Sequence, residues 1–416
     1  MNRISCKLSE LVEVKNGSTP STKRNDFYDG NIVWITPKDL SINKSKFIYS
    51  SERKITKAGF DSCSTSLLPI GSVLLSSRAP IGLLAICAIE TCTNQGFKNL
   101  VLKKDKLHNE YLYYWLKTKV KYIDSLGTGT TFKEVSKGVI ENLSIEIPKD
   151  IKDQQKIASV LSALDSKIEL NNRINAELEA MAKTLYDYWF VQFDFPDENG
   201  KPYKTSGGKM VWNEELKREI PVGWEVKKIK SIIEVKDGTH DSPKPKSKGY
   251  RLITSKNLQT AGLDFNNANF ISEEDYLSII KRSNVETGDI LFSMIGNIGT
   301  VYKIEEKEIN FAIKNVALFK TSKMQEHKNY VFMFLKSIDM DRYMKNVISG
   351  SIQKFIGLNS LRETPILSNE VLIRKYNEIT FSIFEKLENL KRENQKLTEL
   401  RDWLLPMLMN GQVKVN

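Results

Sequence analysis

Two long stretches of the chain carry apolar residues at alternating steps of three and four, a spacing typical of a helix with one buried stripe. The first runs from about residue 153 to residue 190 and contains no glycine or proline. The second runs from about residue 372 to residue 405. We expect Asp153 to cap the first helix and Pro406 to end the second, because proline lacks the amide hydrogen that a helix interior needs. At ~1.5 Å per residue, each helix would be roughly 50 Å long.

Neither helix can bury its apolar stripe alone, and one chain supplies two such helices. We therefore predict that they pair with each other as an antiparallel intramolecular coiled coil. The alternative is that each pairs with a helix of another protein. The residues expected to pair are Ile157, Leu161, Leu164, Ile168, Leu178, Leu185, Ile383, Leu387, Leu390, Leu397 and Leu404.

The segments between and before these helices repeat each other. "ITPKDL" at 35–40 is echoed by "ITSKNL" at 253–258. Further echoes follow in the same order, with offsets that drift only between 216 and 221 positions, and this indicates a duplicated domain rather than a short structural repeat. The matched segments are 71–82 with 288–299, 97–102 with 313–318, 111–117 with 330–336, and 129–136 with 350–357.

Each repeated module combines short β-branched runs, closed by glycine or proline turns, with an aromatic helix whose rings we expect in the core. The predicted fold class is α+β: two similar mixed α/β domains separated by the two long helices and related by a pseudo-two-fold axis. The expected boundaries are 1–152 for the first module, 153–190 for the first long helix, 191–222 for a connector, 223–370 for the second module, 371–405 for the second long helix and 406–416 for a tail.

Composition narrows the class of partner. The chain has 62 Lys and Arg against 51 Asp and Glu, a net charge of +11, which favours polyanions such as nucleic acid. No apolar run approaches the ~20 residues that a membrane span needs. The four cysteines form no CxxC pair and the three histidines are scattered, so we predict no metal site and reduced thiols in the cytoplasm.

Two basic modules at a fixed separation suit double-stranded DNA, whose backbone is itself two-fold symmetric. Because the modules differ in sequence, they would recognise two different short words. The long helices would then set the spacer between the words.

Several motifs together resemble the DNA specificity subunit of type I restriction–modification systems. The motifs are "KLSELVEVKNGSTP", "WITPKDL", "FKEVSKGVIENLSIEIP", "FVQFDFP", "GKPYKTSGGKMVWNEELKREIPVGWEV" and "LTELRDWLLPMLMNGQV". The resemblance covers nearly the whole chain and implies two target-recognition domains, one per half-site. It also implies modification subunits, two in number, that bind S-adenosylmethionine and methylate adenine, and restriction subunits that use ATP and Mg²⁺ to translocate and cut DNA. No cofactor is expected on this chain.

The DNA-contact candidates are basic residues. Lysines at matching places in the two modules would bind phosphate, and Arg78, which matches Ile295, would contact a base in the first module alone. The glycine-rich segment 127–133 is a further phosphate candidate. The basic candidates are Lys38, Arg78, Lys98, Lys133, Lys244, Lys246, Lys248, Lys256, Lys314 and Lys354, with Lys38–Lys256, Lys98–Lys314 and Lys133–Lys354 as matched pairs.

Two other functions remain open. Asp197, Glu215 and Lys217 have the spacing of a Mg²⁺-dependent nuclease, but the polar, glycine-rich stretch between them predicts a connector rather than a rigid site. The chain lacks GxxxxGK[ST] and [ND]PP[YF], so we predict no catalytic residue. The other open function is that of a coiled-coil assembly protein that does not bind DNA.

The connector carries three aromatic residues that could dock on a modification subunit: Phe190, Phe193 and Phe195.

Overall fold

The computed structural model describes residues 2–43, 45–103, 105–129, 133–259, 262–350 and 354–415. The chain forms two compact units. The first unit consists of Met1–Arg173 together with Lys391–Asn416, and the second unit is Ile174–Leu390. Each unit therefore contains one of the repeated modules and a segment of each long helix.

The first unit is a mixed α/β domain built on short strands. Its strands are β1 (Arg3–Lys7), β2 (Val12–Asn16), β3 (Tyr28–Ile35), β4 (Phe47–Ile48), β5 (Lys54–Ile55), β6 (Val73–Ser76), β7 (Leu84–Cys87), β8 (Cys92–Thr93), β9 (Phe97–Leu102) and β10 (Ser144–Pro148). Its helices are α1 (Leu8–Leu11), α2 (Pro37–Ile42), α3 (Lys57–Asp61), α4 (Asn109–Ser125), α5 (Lys137–Glu141) and the first part of α6 (Ile151–Tyr186).

The second unit repeats this layout after a connector. Its strands are β11 (Met210–Asn213), β12 (Arg218–Pro221), β13 (Glu225–Lys228), β14 (Val235–Asp237), β15 (Tyr250–Thr254), β16 (Leu258–Gln259), β17 (Gly262–Leu263), β18 (Asn269–Ile271), β19 (Ile290–Ser293), β20 (Val301–Lys303), β21 (Phe311–Lys314), β22 (Val316–Phe319) and β23 (Pro365–Ser368). Its helices are α7 (Glu273–Ser283), α8 (Lys328–Leu335), α9 (Ile338–Val347), α10 (Leu358–Arg362) and the first part of α11 (Glu370–Met409).

The sheets of the two units correspond in strand order. The order β2–β9–β6–β7 in the first unit matches β14–β22–β19–β20 in the second, and the order β5–β3–β8 matches β18–β15–β21. Strand β4 extends the larger sheet of the first unit by one edge strand. In both smaller sheets the central strand has one antiparallel and one parallel neighbour. The terminal pairs β1–β10 and β13–β23 also match. The duplicated domain predicted from the sequence is therefore confirmed.

Each unit has its own apolar core, and the aromatic helices contribute to it as predicted. Tyr111 and Tyr114 of α4 are fully buried in the first unit, and Tyr330 of α8 is fully buried in the second. In the first unit, Ile157 and Leu161 of α6 and Leu408 of α11 belong to the same apolar cluster as α4. The long helices are thus integral to the core of the first unit.

The two long helices pair antiparallel within the chain, as predicted. In the first unit, Asp165 accepts from Arg401 at 2.9 Å and Asn171 donates to Asn394 at 2.9 Å. In the second unit, the Tyr376 hydroxyl donates to the carbonyl of Ala182 at 2.9 Å. Partner numbers fall on one helix as they rise on the other. The residues expected to pair are buried at Ile157, Leu161, Leu387 and Leu390, and half-buried at Leu164, Ile168, Leu178, Leu185, Ile383, Leu397 and Leu404.

Both expected helix ends need correction. Helix α6 begins at Ile151, and its cap is Asp150 rather than Asp153, since Asp150 Oδ1 accepts from the amide of Lys152 at 2.9 Å. Its α-helical part ends at Tyr186 and continues as a π-helical turn over Asp187–Val191. Helix α11 does not stop at Leu405 but runs through Pro406 to Met409.

Packing explains why α11 tolerates the proline. Leu405, Leu408 and Met409 are all buried in the core of the first unit. The guanidinium of Arg3 donates to the carbonyl of Met409, one of the helix-end carbonyls that has no partner within the helix. Burial of these side chains offsets the one backbone hydrogen bond that Pro406 removes.

The connector aromatics are core residues and not a docking surface, contrary to our expectation. Phe190, Phe193 and Phe195 are buried, and they pack around Trp224 with ring centroids 5.2–5.8 Å from its own. Phe190 lies in the π-helical turn, and the backbone after that turn is irregular, with Phe193 at a φ of 65°. Among the described residues, no helix is long and apolar enough to cross a bilayer.

Candidate nucleic-acid interface

Lys38 and Lys256 are presented by the same local structure. After β3, the amide and hydroxyl of Thr36 donate to Asp39 Oδ2 at 2.8 and 2.6 Å. After β15, the amide and hydroxyl of Thr254 donate to Asn257 Oδ1 at 3.0 and 2.8 Å. The sequence echo thus encodes one capped turn, used twice.

The environments of the two lysines differ. Lys38 forms an ion pair of 2.6 Å with Glu52. Lys256 is exposed, and no carboxylate of the described residues pairs with it. A phosphate could therefore bind Lys256 without displacing a partner, whereas at Lys38 it would compete with Glu52.

A serine organises the loop after β6 and the matching loop after β19. Ser76 Oγ donates to the carbonyl of Pro80 at 2.7 Å and accepts from the amide of Leu83 at 2.8 Å. Ser293 Oγ donates in the same way to the carbonyl of Asn297, and accepts from the amide of Thr300 at 2.9 Å. The first loop carries Arg78 and the second carries Ile295 at the corresponding place.

In the first unit this place holds a charged triad of Arg78, Glu134 and Lys98. Arg78 Nε donates to Glu134 Oε2 at 2.9 Å, and Lys98 Nζ lies 3.0 Å from Glu134 Oε1. Burial disfavours the ionised Glu134 carboxylate, but the hydrogen bonds from Lys98 and Arg78 outweigh it and lower the pKa of Glu134 below its usual value. Because the contact uses Nε, and the terminal nitrogens of Arg78 bond to none of the residues that the structure describes, both are available to a ligand.

In the second unit the same place is apolar. The backbone bridge between Arg78 and Glu134 corresponds to a bridge between Ile295 and Phe355, so these residues occupy equivalent positions. Ile295 is half-buried, and Phe355 exposes 44% of its surface. The charged pair of one unit is thus replaced by two apolar side chains in the other.

Strand register shows that Lys98 and Lys314 are not equivalent, contrary to the sequence match. Phe97 lies opposite Ser76 in β6, and Val316 lies opposite Ser293 in β19, so Lys98 corresponds to Ala317. Lys314 instead lies in β21, opposite Thr254. The sequence match is therefore three residues out of register with the structure, and it pairs a "KN" of one sheet with a "KN" of the other sheet.

The remaining basic candidates fall into two groups. Lys133 forms an ion pair of 2.9 Å with Asp124, and Lys314 donates to the hydroxyl of Ser242. The others are exposed, and no carboxylate of the described residues pairs with them: Lys244, Lys246, Lys248 and Lys354. The amide of Lys246 bonds to the carbonyl of Phe270 at 2.9 Å, which anchors that lysine-rich loop. Of the glycine-rich segment 127–133, residues 130–132 lie outside the described part of the chain.

A cleft of about 720 Å³ opens beside Ile295 in the second unit, and no sequence pattern predicts it. We call it the amide cleft, because asparagines dominate its lining. The lining includes Lys256, Asn267, Asn269, Ile295, Asn297 and Asn315. Asparagine carries both a hydrogen-bond donor and an acceptor, which suits recognition of base edges.

One wall of the amide cleft is held by a polar cluster that sequence reasoning also missed. Asp237 is buried and accepts from Arg282 through one carboxylate oxygen, and its other oxygen lies 2.8 Å from His240 Nε2. His240 Nδ1 lies 2.9 Å from Asn315 Oδ1. Asn315 has a φ of 53°, a conformation that asparagine tolerates better than most residues. The motif "DGTH" at 237–240 therefore positions an asparagine of the cleft.

The candidate nuclease residues are engaged elsewhere. Asp197 Oδ1 accepts from the amides of Asn199 and Lys201, both at 2.8 Å, which closes a turn. Glu215 pairs with Lys228, and Lys217 pairs with Glu214 at 2.9 Å. No group of three metal-ligating side chains occurs in the described ranges. This geometry does not support the hypothesis that Asp197, Glu215 and Lys217 form a nuclease site.

Comparisons with known proteins give a consistent family. The profile of the "Type I restriction modification DNA specificity domain" matches residues 5–180 and 221–401. The chain is 31% identical over 427 residues to the type I restriction enzyme MjaIX specificity subunit of Methanocaldococcus jannaschii, covering 98% of this chain and 93% of that protein. It is 25% identical over 345 residues to the HindI specificity subunit of Haemophilus influenzae, covering 68% and 72%.

A solved structure shares the fold. The crystal structure of the S subunit of a type I restriction–modification system from M. genitalium matches with a TM-score of 0.58 at 18% identity, covering 98% of this chain and 96% of that one. The family match over both modules, the relative that spans nearly the whole chain and the shared fold agree. The chain is a member of the type I restriction–modification DNA specificity family.

Proposed function

We propose that this chain selects the target of a type I restriction–modification complex by reading two different half-words of double-stranded DNA, one with each unit. The observation that carries the proposal is a loop frame that both units share but that carries unlike side chains. This loop frame is the serine-held loop after β6 or β19, together with the residue that is bridged to it. Arg78 and Glu134 occupy that frame in the first unit, and Ile295 and Phe355 occupy it in the second. Identical frames with different chemistry are what an asymmetric target requires.

Charge supports the assignment of duplex DNA as the ligand. The net charge of +11 attracts a polyanion, and Lys244, Lys246, Lys248, Lys256 and Lys354 are exposed without carboxylate partners among the described residues. Such lysines bind phosphate without regard to sequence. They would supply affinity, while the loop frames supply selectivity.

In this proposal the chain itself performs no chemistry. Two modification subunits would carry S-adenosylmethionine and methylate adenine, and restriction subunits would use ATP and Mg²⁺ to move and cut DNA in the cytoplasm. The long helices would set the number of base pairs between the half-words. Helices α6 and α11 are long enough for this, with 36 and 40 residues at ~1.5 Å per residue.

Mapping methylated adenines in a host that expresses the chain with its modification subunits tests the proposal. We expect one recognition sequence made of two unlike words with a constant spacer. Deleting seven residues in register from both α6 and α11 should change the spacer length and leave both words unchanged. Methylation without a bipartite sequence would overturn the proposal, and an unchanged spacer in the deletion variant would overturn the role of the helices.

Two controls separate the other functions. The purified chain incubated with Mg²⁺ and DNA of mixed sequence should leave the DNA intact, whereas a nuclease would cut it. DNA binding by the complex should weaken steeply as salt is added, because phosphate contacts release counterions. An assembly protein without a DNA role would show no such dependence.

A further inference from the structure

The most informative difference between the two loop frames is the pair of apolar residues, Ile295 and Phe355, in the second unit. Phe355 exposes 44% of its surface beside half-buried Ile295. Packing in the core of the unit does not account for an exposed ring at this position. In the first unit, the charges of Arg78, Glu134 and Lys98 occupy the equivalent positions, and Lys98 corresponds to Ala317. The second unit therefore presents two apolar side chains where the first presents a charged donor.

Side-chain amides that lack hydrogen-bond partners among the described residues lie next to this apolar pair. The side chains of Asn269 and Asn297 form no hydrogen bond with any described residue, and both line the amide cleft together with Ile295. Asn297 is two residues from Ile295 on one loop, so their backbones lie within about 7 Å of each other. An apolar group and an amide are thus offered side by side.

One base pair matches this combination. In the major groove, an A·T pair presents the thymine methyl group beside the N7 acceptor and N6 donor of adenine. Apolar side chains contact the methyl group, and asparagine bonds to both adenine positions. A G·C pair offers no methyl group and instead suits an arginine, which is the residue that the first unit places in this frame.

We propose that the second unit reads an A·T pair with Ile295 and Phe355 against the thymine methyl group and Asn297 on the adenine edge, at the place where the first unit reads guanine with Arg78. This inference rests on the proposed function. Lys256 lies on the rim of the same cleft and holds the neighbouring phosphate. The cleft thus offers Ile295 to the thymine methyl group, Asn297 to the adenine edge and Lys256 to a phosphate.

Base analogues in the target of the intact complex test the proposal. The half-words are first taken from the methylation map, and each thymine of the second half-word is then replaced by uracil, which lacks the methyl group. At one position the wild-type complex should bind about fourfold more weakly, the factor expected for one methyl-sized apolar contact. The complex with Ile295→Ala should bind the natural target about fourfold more weakly and should respond less than the wild type to uracil at that position, because only Phe355 would still contact the methyl group.

The amide is tested in the same way on the paired adenine. Replacement by 7-deazaadenine removes the N7 acceptor and should weaken binding by the wild-type complex about fivefold. The complex with Asn297→Ala should show no response at that adenine. Each variant should keep the wild-type response to analogues in the first half-word, which also shows that it is folded. Arg78→Ala is the matched control and should leave both responses in the second half-word intact.

The outcomes separate the inference from the function beneath it. If the wild-type complex recognises a bipartite sequence but Ile295→Ala and Asn297→Ala stay as sensitive to both analogues as the wild type at every position, the A·T assignment is wrong and the proposed function stands. If the wild-type complex shows no bipartite preference, the proposed function itself fails.

Discussion

Asn171 Nδ2 donates a hydrogen bond of 2.9 Å to Asn394 Oδ1 where α6 and α11 pair in the first unit. Asn171 is fully buried, and its own Oδ1 has no hydrogen-bond partner among the described residues. Asn394 in turn donates to Asn172 Oδ1 at 2.9 Å. A polar pair inside an apolar stripe fixes the register of two helices at a cost in stability, because any slip leaves its polar groups unpaired.

Replacing both asparagines by leucine should therefore stabilise the first unit while loosening its register. We expect the double variant Asn171→Leu/Asn394→Leu to unfold about 2–4 °C higher, as roughly 1 kcal/mol would produce in a domain of this size. We also expect mixed oligomers by light scattering, since leucine stripes accept several pairings. The exposed change Gln395→Leu is the control and should alter neither property. A double variant that unfolds earlier and stays uniform in mass would contradict this role.

Glu110 links α4 to the first part of α6 through Lys46 and Ser162, both of which donate to Glu110 Oε2. We expect Glu110→Gln to lower the free energy of unfolding at neutral pH by about 2 kcal/mol, the range for hydrogen bonds to a charged group. The pair is largely shielded, with Lys46 buried and Glu110 only 23% exposed at its side chain.

Acid should reveal the same contact. Burial raises the pKa of Glu110, but the hydrogen bonds from Lys46 and Ser162 outweigh it and leave the pKa below the usual 4.5. The stabilisation is therefore complete above pH 4.5 and is lost as the pH falls through the lower, folded value. Urea unfolding between pH 7 and 3 should show this loss in the wild type and not in Glu110→Gln. Asp61→Asn, which breaks the exposed pair with Lys57, should cost less than about 1 kcal/mol. Parallel pH curves for the wild type and Glu110→Gln would rule out the effect.

Arg78 should determine one position of the first half-word. In Arg78→Ala, discrimination at that position should fall by about 1–3 kcal/mol, with the second half-word unchanged. Lys256→Ala provides a contrast, because a phosphate contact carries no sequence information. It should weaken binding to all sequences alike and reduce the salt slope by about one. Competition binding with single-base variants of the target measures both effects, and a uniform loss in Arg78→Ala would show that it binds phosphate instead.

Much of the architecture is predictable from the sequence, because the duplication and the long helices leave strong periodic signals. The buried stripe of α11 was less predictable. It runs through Tyr376, Thr380, Phe384 and Leu387, while Ile379 lies exposed. A pattern that counts only apolar residues passes over Thr380, whose hydroxyl is satisfied by the carbonyl of Tyr376 at 2.8 Å. Tertiary packing likewise carried the helix through Pro406.

The candidate site was predictable only in part. Arg78 stood out because the repeat matched it with Ile295, and the structure places both in the same frame. The match of Lys98 with Lys314 failed, because letters align without regard to strand register. The amide cleft could not be foreseen, since Asn269 and Asn297 come from separate segments of the chain that only the fold brings together.

Replacing residues 1–150 with the corresponding segment of another family member, followed by genome-wide mapping of methylated adenines, tests most directly whether each unit reads its half-word alone. The exchange point precedes α6, which begins at Ile151, so both long helices stay intact. We predict that the first half-word changes while the second half-word and the spacer remain those of the wild type. A methylation map in which both half-words change, or in which neither does, would contradict the account.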